Sequence, residues 1–304
     1  MPIPQEIVQN VTSGKCILFL GAMASAAAPQ GARFQYVKTP PGGGELSRRL
    51  ALKCVYPDQD VTNLQRVSLY FEFGPKGSRN ALVQAIREET TKFKEVGVSG
   101  GVVESNIEPS PALHMLAALP FPIVITTNYD HLFDTALYMA KTTDGRSKHP
   151  ILRVYDPDRV GPPEEVPLDP CEHEPILLKL HGDLHNPGSI VVTEEDYLVF
   201  IQKMSNPHHH PIPRNIQARM NSWPILFIGY SLKDYNLRLL FRTLRWHLTA
   251  ADFPLSFSVD PFPDDLIVSI FQRGGKPMVS FVEENLWDFV PALYQACKGV
   301  EYPS

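Results

Sequence analysis

Four short apolar runs in this chain stop abruptly at small or polar residues, and that repeated ending limits the fold more than any other feature. Cys16-Ile-Leu-Phe-Leu20 stops at Gly21-Ala22-Met23-Ala24-Ser25. The run from Pro122 closes as Thr127-Asn128-Tyr129-Asp130, with an amide and a carboxylate two residues apart. Ile176-Leu-Leu-Lys-Leu180 stops at His181-Gly182-Asp183, and Pro224-Ile-Leu-Phe-Ile228 stops at Gly229-Tyr230-Ser231. Apolar runs of this length read as strands covered on both faces, as in a parallel sheet. In such open α/β sheets, ligand-facing groups sit at the carboxyl ends of the strands.

Helical patterns alternate with these runs, which predicts an α/β, Rossmann-like, mainly parallel sheet with helices on both faces. A length of 304 residues and a hydrophobic share of 43% suffice for one such domain over 1–304. Leu46, Leu50, Leu64, Leu69, Leu82 and Ile86 give a helical subdomain inserted at about 45–110. Residues 97–109 read as a Gly-containing connector inside it. Ser110-Pro111 and Thr193-Glu-Glu-Asp196 read as helix starts. Ile190-Val-Val192 reads as a short strand, and 234–248 as a long amphipathic helix.

A net charge of −5 argues against a dedicated nucleic-acid binder. No apolar run reaches membrane-spanning length, and the first residues lack the pattern of a signal peptide, so a soluble, cytoplasmic protein is expected. Cys16, Cys54, Cys171 and Cys297 are far apart, without a C-x-x-C pair, so neither a structural zinc nor a disulfide framework is expected.

Each strand end admits two readings. Gly21, Ala22 and Ser25 let a backbone approach a pyrophosphate, or simply let a helix pack on the sheet. Asn128 and Asp130 face a ligand, or cap the helix that follows. Gly182 permits a turn that presents the His181 ring at the mouth of the sheet. The spacing His181-x-Asp183-x-His185 would instead suit a metal, as in a nuclease. Gly229 and Ser231 suit a ribose or phosphate contact, or Ser231 caps a helix. His208-His209-His210 reads as an exposed loop.

Taken in order, Gly21-Ala-Met-Ala-Ser25, Thr127-Asn-Tyr-Asp130, His181-Gly182 and Gly229-Tyr-Ser-Leu232 resemble the sirtuin-like family. The flanking residues resemble its prokaryotic NADases of antiphage defence most, and the resemblance runs from about 14 to 297. Met23 stands where that family usually has a second glycine. The zinc cysteines of deacetylase sirtuins are absent, which points away from deacylation. The resemblance implies hydrolysis of NAD+ as substrate, without a metal, to nicotinamide and ADP-ribose. It implies Asn128, His181 and Asp130 as catalytic residues. Gly21, Ala22, Ser25, Thr127, Gly182, Gly229 and Ser231 would be the dinucleotide-binding ones. His181, with an ordinary pKa near 6.5, is then the expected general base. Asn128 would orient the water or the ribose, and an ionised Asp130 would favour the developing positive charge. Little of the chain is left for a sensor domain. The implied control is a homo-oligomer or a separately encoded partner, a HerA-type ATPase ahead of a short Argonaute. A non-catalytic NAD- or ADP-ribose-binding scaffold is the alternative from a different class.

Overall fold

The computed structural model describes residues 3–96, 102–206, 208, 210–230, 232, 254–272 and 278–303. Seven strands form one parallel sheet. From edge to edge they are β5 (Ile151–Val154), β6 (Ile176–Lys179), β4 (Ile123–Thr126), β1 (Ile17–Leu20), β7 (Ile225–Ile228), β8 (Ser256–Val259) and β9 (Val279–Val282). This is the Rossmann-like α/β sheet that the apolar runs predict. Successive side chains of a strand point to opposite faces, and each face has its own core. Leu18, Leu20, Val124, Leu177, Leu226 and Ile228 pack with α1 (Gln5–Thr12), α5 (Pro111–Ala118), α6 (Leu132–Met139) and the helix Leu286–Lys298. Ile17, Phe19, Ile123, Ile125, Ile176, Leu178, Ile225 and Phe227 pack with α7 (Glu194–Met204), α8 (Arg214–Ser222) and the helix Asp265–Gln272.

The strands end in register. Leu20 lies beside Thr126 on one side and Ile228 on the other, and Thr126 lies beside Lys179. The turns after β1, β4, β6 and β7 therefore meet at one edge of the sheet. From β1 the chain first builds outward through β4 and later returns to add β7 on the other side. That reversal opens a crevice between neighbouring crossovers.

A third apolar cluster lies within α2 (Gly43–Cys54), α3 (Leu64–Phe73) and α4 (Arg79–Thr91), joined by Leu184, Ile190 and Val192. Arg79 bridges Glu72 at 3.0 Å and Asp196 at 2.8 Å and donates to the Ile190 carbonyl. Arg87 donates to the Leu184 carbonyl. The helical layer is thus bound to the segment that follows His181.

Three elements differ from the sequence reading. The expected connector at 97–109 holds a strand. Lys92–Val96 (β2) and Val102–Asn106 (β3) form an antiparallel ribbon, with Lys94 facing Glu104 at 3.4 Å. Ile190–Val192 is buried but not a strand, because apart from the Val191 N–H, which donates to the His181 carbonyl, its bonded polar groups take side-chain partners. The Val191 carbonyl accepts from the Tyr129 hydroxyl, and the Val192 N–H donates to Asp196. Helix α8 was not anticipated. Its apolar positions, Ile216 and Met220, are only two and follow a Pro-rich loop. Asp196 closes a capping box with Thr193 and Ser110 caps α5, both as expected. The expected helix at 234–248 lies outside the described residues. Among them, no helix is long and apolar enough to cross a membrane.

Candidate active site

A cavity of about 340 Å³ opens at the carboxyl ends of β1, β4, β6 and β7. Thr127, Asn128, Asp130 and His181 line it, with Ala22 and Gly229 from the flanking turns. Pro40, Pro41, Gly43, Leu46 and Leu64 close one side, and Tyr129, Tyr197 and Tyr230 add aromatic walls.

The turn after β4 is locked from below. The Thr126 hydroxyl donates to the Leu20 carbonyl at 3.1 Å and accepts the Asn128 N–H at 3.1 Å. Asn128 Nδ2 donates to the Gly21 carbonyl at 3.2 Å, so the amide is braced across two strand ends. Asp130 Oδ1 accepts the Leu132 N–H at 2.9 Å from one residue ahead of the helix's N-cap, His131, and also lines the cavity. Burial raises the Asp130 pKa, although that N–H and Lys179 oppose the rise. Folding thus works against the ionised Asp130 on which its expected role depends.

His181 is only 5% exposed. The edges of Tyr197 and Phe200 meet its ring, with centroids at 5.2 and 5.3 Å. Burial alone pushes its pKa down to about 3, so the imidazole is neutral at any ordinary pH. The value of 6.5 assumed from sequence does not survive folding, because a charge there would have no partner to offset its lost hydration.

The glycines answer first to packing. A Cβ on Gly21 would come within 2.5 Å of the Gly229 carbonyl oxygen, and one on Gly229 within 1.9 Å of the Ala24 nitrogen. The turns after β1 and β7 therefore interlock. Met23 N–H donates to the Gly229 carbonyl and Ala24 N–H to the Gly21 carbonyl, so those two donors already have partners inside the protein. Gly182 takes φ +87°, the left-handed region, and a Cβ there would meet Ser189. Gly21, Gly182 and Ser25 are absent from the cavity lining, and the Ser25 hydroxyl is buried without a hydrogen-bond partner. Met23 lines the cavity with more than half its surface exposed. Ser231 lies outside the described residues.

Sequence reasoning passed over Lys179. It reads there as part of an apolar run, yet it is a fully buried cation. Its ammonium donates to Asp183 at 2.7 Å, Asp134 at 3.3 Å and the carbonyls of Asp130 and Tyr129 at 2.6 and 3.4 Å. It so ties the end of β6 to the turn that carries Asn128. The signal was available, since a lysine buried on both sides needs partners. Burial would raise the Asp183 pKa, but His131 and Lys179 hold it well below the usual carboxylate range. His131 completes the network, with Nδ1 at 3.0 Å from Asp134 and Nε2 at 3.2 Å from Asp183. The alternative metal triplet His181/Asp183/His185 therefore splits. His181 turns into the cavity, and the histidine beside Asp183 and His185 is His131.

Comparison with known proteins bears on this site. A family model described as a SIR2-like domain matches residues 122–284, more than half of the chain. The match contains Asn128, Asp130, His181 and Gly229. Among similar proteins is the NAD(+) hydrolase ThsA of Enterococcus faecium, 26% identical over 241 residues, which cover 79% of this chain and 42% of that protein. The NAD(+) hydrolase ThsA of Acinetobacter baumannii (strain 532279) is 27% identical over 80% of this chain and 42% of its own length. Defense-associated sirtuin 2 of Bacillus subtilis is 28% identical over 55% of this chain and 15% of its own length. The chain spans about two fifths of the length of the two hydrolases it matches.

Proposed function

Because this chain belongs to the SIR2-like domain family, we propose that it cleaves the nicotinamide–ribose bond of NAD+, giving nicotinamide and ADP-ribose. One observation carries this reading. Asn128 and His181, from two different strand ends, line one aromatic-walled cavity at the point where the sheet reverses its order of growth. Small-molecule sites run from about 300 to 1,000 Å³, and a volume near the lower limit suits the reacting nicotinamide–ribose half of the dinucleotide.

The chemistry asks little of an acid. Nicotinamide in NAD+ is a cationic pyridinium and leaves neutral without being protonated, so a paired glycosidase acid and base is not needed. What remains is to stabilise an oxocarbenium-like ribose and to place a water. A neutral His181 accepts a hydrogen bond from a ribose hydroxyl or from that water. Asn128, braced on Gly21, orients the sugar. Asp130 is the nearest carboxyl in the lining and contributes negative charge where it is ionised. Ala22, Thr127 and Gly229 line the same cavity and face the bound dinucleotide, with Gly21, Gly182 and Ser25 shaping the turns beneath.

The relatives' names, an NAD(+) hydrolase and a defense-associated sirtuin, support NAD+ cleavage in defence, and with the sequence resemblance they favour an NAD-depleting antiphage effector. Such an activity needs restraint. Self-assembly, or a separately encoded partner of the HerA-type ATPase or short-Argonaute kind, would supply it. The test is incubation of the purified chain with NAD+, with products separated by chromatography, beside Asn128→Ala. Equimolar nicotinamide and ADP-ribose from wild type alone is the expected result. Equal release from Asn128→Ala would remove the mechanism. NAD+ binding without release, alone or with such a partner, would favour the scaffold reading.

A further inference from the structure

The polar cluster behind the Gly182 turn has no part in the chemistry above, and none of its histidines lines the cavity. One ligand atom each from His131, Asp183 and His185 lies within 4.8 Å of the others. Asp183 Oδ1 is 3.2 Å from His131 Nε2 and 3.7 Å from His185 Nδ1. In a tetrahedral site with metal–ligand bonds near 2.0–2.1 Å, neighbouring ligand atoms stand roughly 3.3 Å apart. The two separations bracket that spacing.

The surroundings are those of a ligand set. His131 Nε2 is buried, with Asp183 Oδ1 3.2 Å away. Its other nitrogen, Nδ1, is held by Asp134 at 3.0 Å. A carboxylate on the far nitrogen is what orients metal-binding imidazoles. Lys179 takes Asp183 Oδ2 at 2.7 Å, and the backbone N–H of His185 reaches Oδ1 at 2.8 Å, which leaves Oδ1 turned toward both rings. Lys179 and a protonated His131 balance Asp134 and Asp183, so a cation enters by taking the place of the His131 proton. The His185 ring is stacked on that of His131, with centroids 4.0 Å apart, and its side chain is 81% exposed, so completing the set requires it to turn out of that stack.

We infer that His131, Asp183 and His185 form a site for a divalent transition-metal ion of the zinc type, with a fourth position open to water. Two imidazoles and one carboxylate suit zinc, cobalt or nickel better than magnesium or calcium. The ion would displace any proton held on His131, so uptake releases protons. It would staple the start of α6 to the turn after β6, bracing the two strand ends that bear Asn128 and His181 without touching substrate.

The test needs no NAD+ cleavage, so its failure is separate from failure of the hydrolase reading. A full-length chain without a histidine tag is stripped with chelator and titrated with Zn²⁺ against a chromophoric indicator. Metal content is then measured after dialysis. One zinc per chain is expected. Affinity should fall at least about tenfold in His185→Ala and in Asp134→Asn. It should be unchanged in the paired His208→Ala, His210→Ala variant, which removes the rival histidine loop. No zinc retained by wild type would overturn the site. So would unchanged binding in His185→Ala, or loss of binding in the paired variant. Because His185 is exposed, its variant separates lost ligation from lost folding.

Discussion

His181 and Asp183 stand on either side of Gly182, and burial acts on them in opposite ways. Among the described residues His181 meets aromatic edges and no charged partner, and burial holds it neutral. Asp183 is equally enclosed, but Lys179 and His131 lie against it, and folding holds it charged. One turn therefore carries an uncharged group into the cavity and a fixed charge away from it. Burial alone does not set a protonation state; the partner does.

The largest expected effect comes from removing the partner. Lys179→Met leaves Asp134 and Asp183 facing one another without their shared ammonium, and should cost about 3–5 kcal/mol. Urea denaturation measures it, and a loss under about 1 kcal/mol would break the contrast. Lys148 sharpens it as a second buried lysine that is poorly partnered. It donates to the Leu119 carbonyl at 2.7 Å, but its carboxylate, Glu172, is 4.0 Å away and is shared with Lys298. Burial accordingly pushes its pKa down to about 8. An unfolded lysine keeps its proton to about pH 10.4. Between about pH 8 and 10 the unfolded chain therefore binds more protons, and stability gains with rising pH. Lys148→Met should lack that gain, so the two stability–pH curves should diverge by on the order of 3 kcal/mol across this range. A parallel pair of curves would show that Lys148 is not desolvated. The smallest expected effect is on the other side of the turn. His181→Phe replaces a neutral ring among aromatic rings, so stability should stay within about 1.5 kcal/mol of wild type. A loss as large as that of Lys179→Met would mean that His181 has a charged partner after all.

The sheet was legible because unbroken apolar runs can end only where the chain leaves a doubly covered core. The same logic put Asn128, Asp130 and His181 on one edge. Other parts depended on contacts remote in sequence. Tyr197 reaches His181 from the first turns of α7, and nothing local to either residue announces the meeting. Gly21 and Gly229 read as ligand-facing, but each is small because the other's turn occupies the space. Lys179 was hidden by its apolar neighbours. His131, outside every strand-end motif, belongs to a network assembled from β6, its following turn and α6. The ribbon of β2 and β3 was missed because glycines near 97–101 suggested an unpaired connector.

The most direct test of which side of the Gly182 turn performs the chemistry is NAD+ cleavage by His181→Ala beside His185→Ala, at equal protein concentration and with any partner that activates the wild type. His181→Ala should lose turnover by on the order of 100-fold, while His185→Ala keeps the wild-type rate. Full activity in His181→Ala with loss in His185→Ala would move the reaction to the charged side and contradict the assignment of the cavity as the active site.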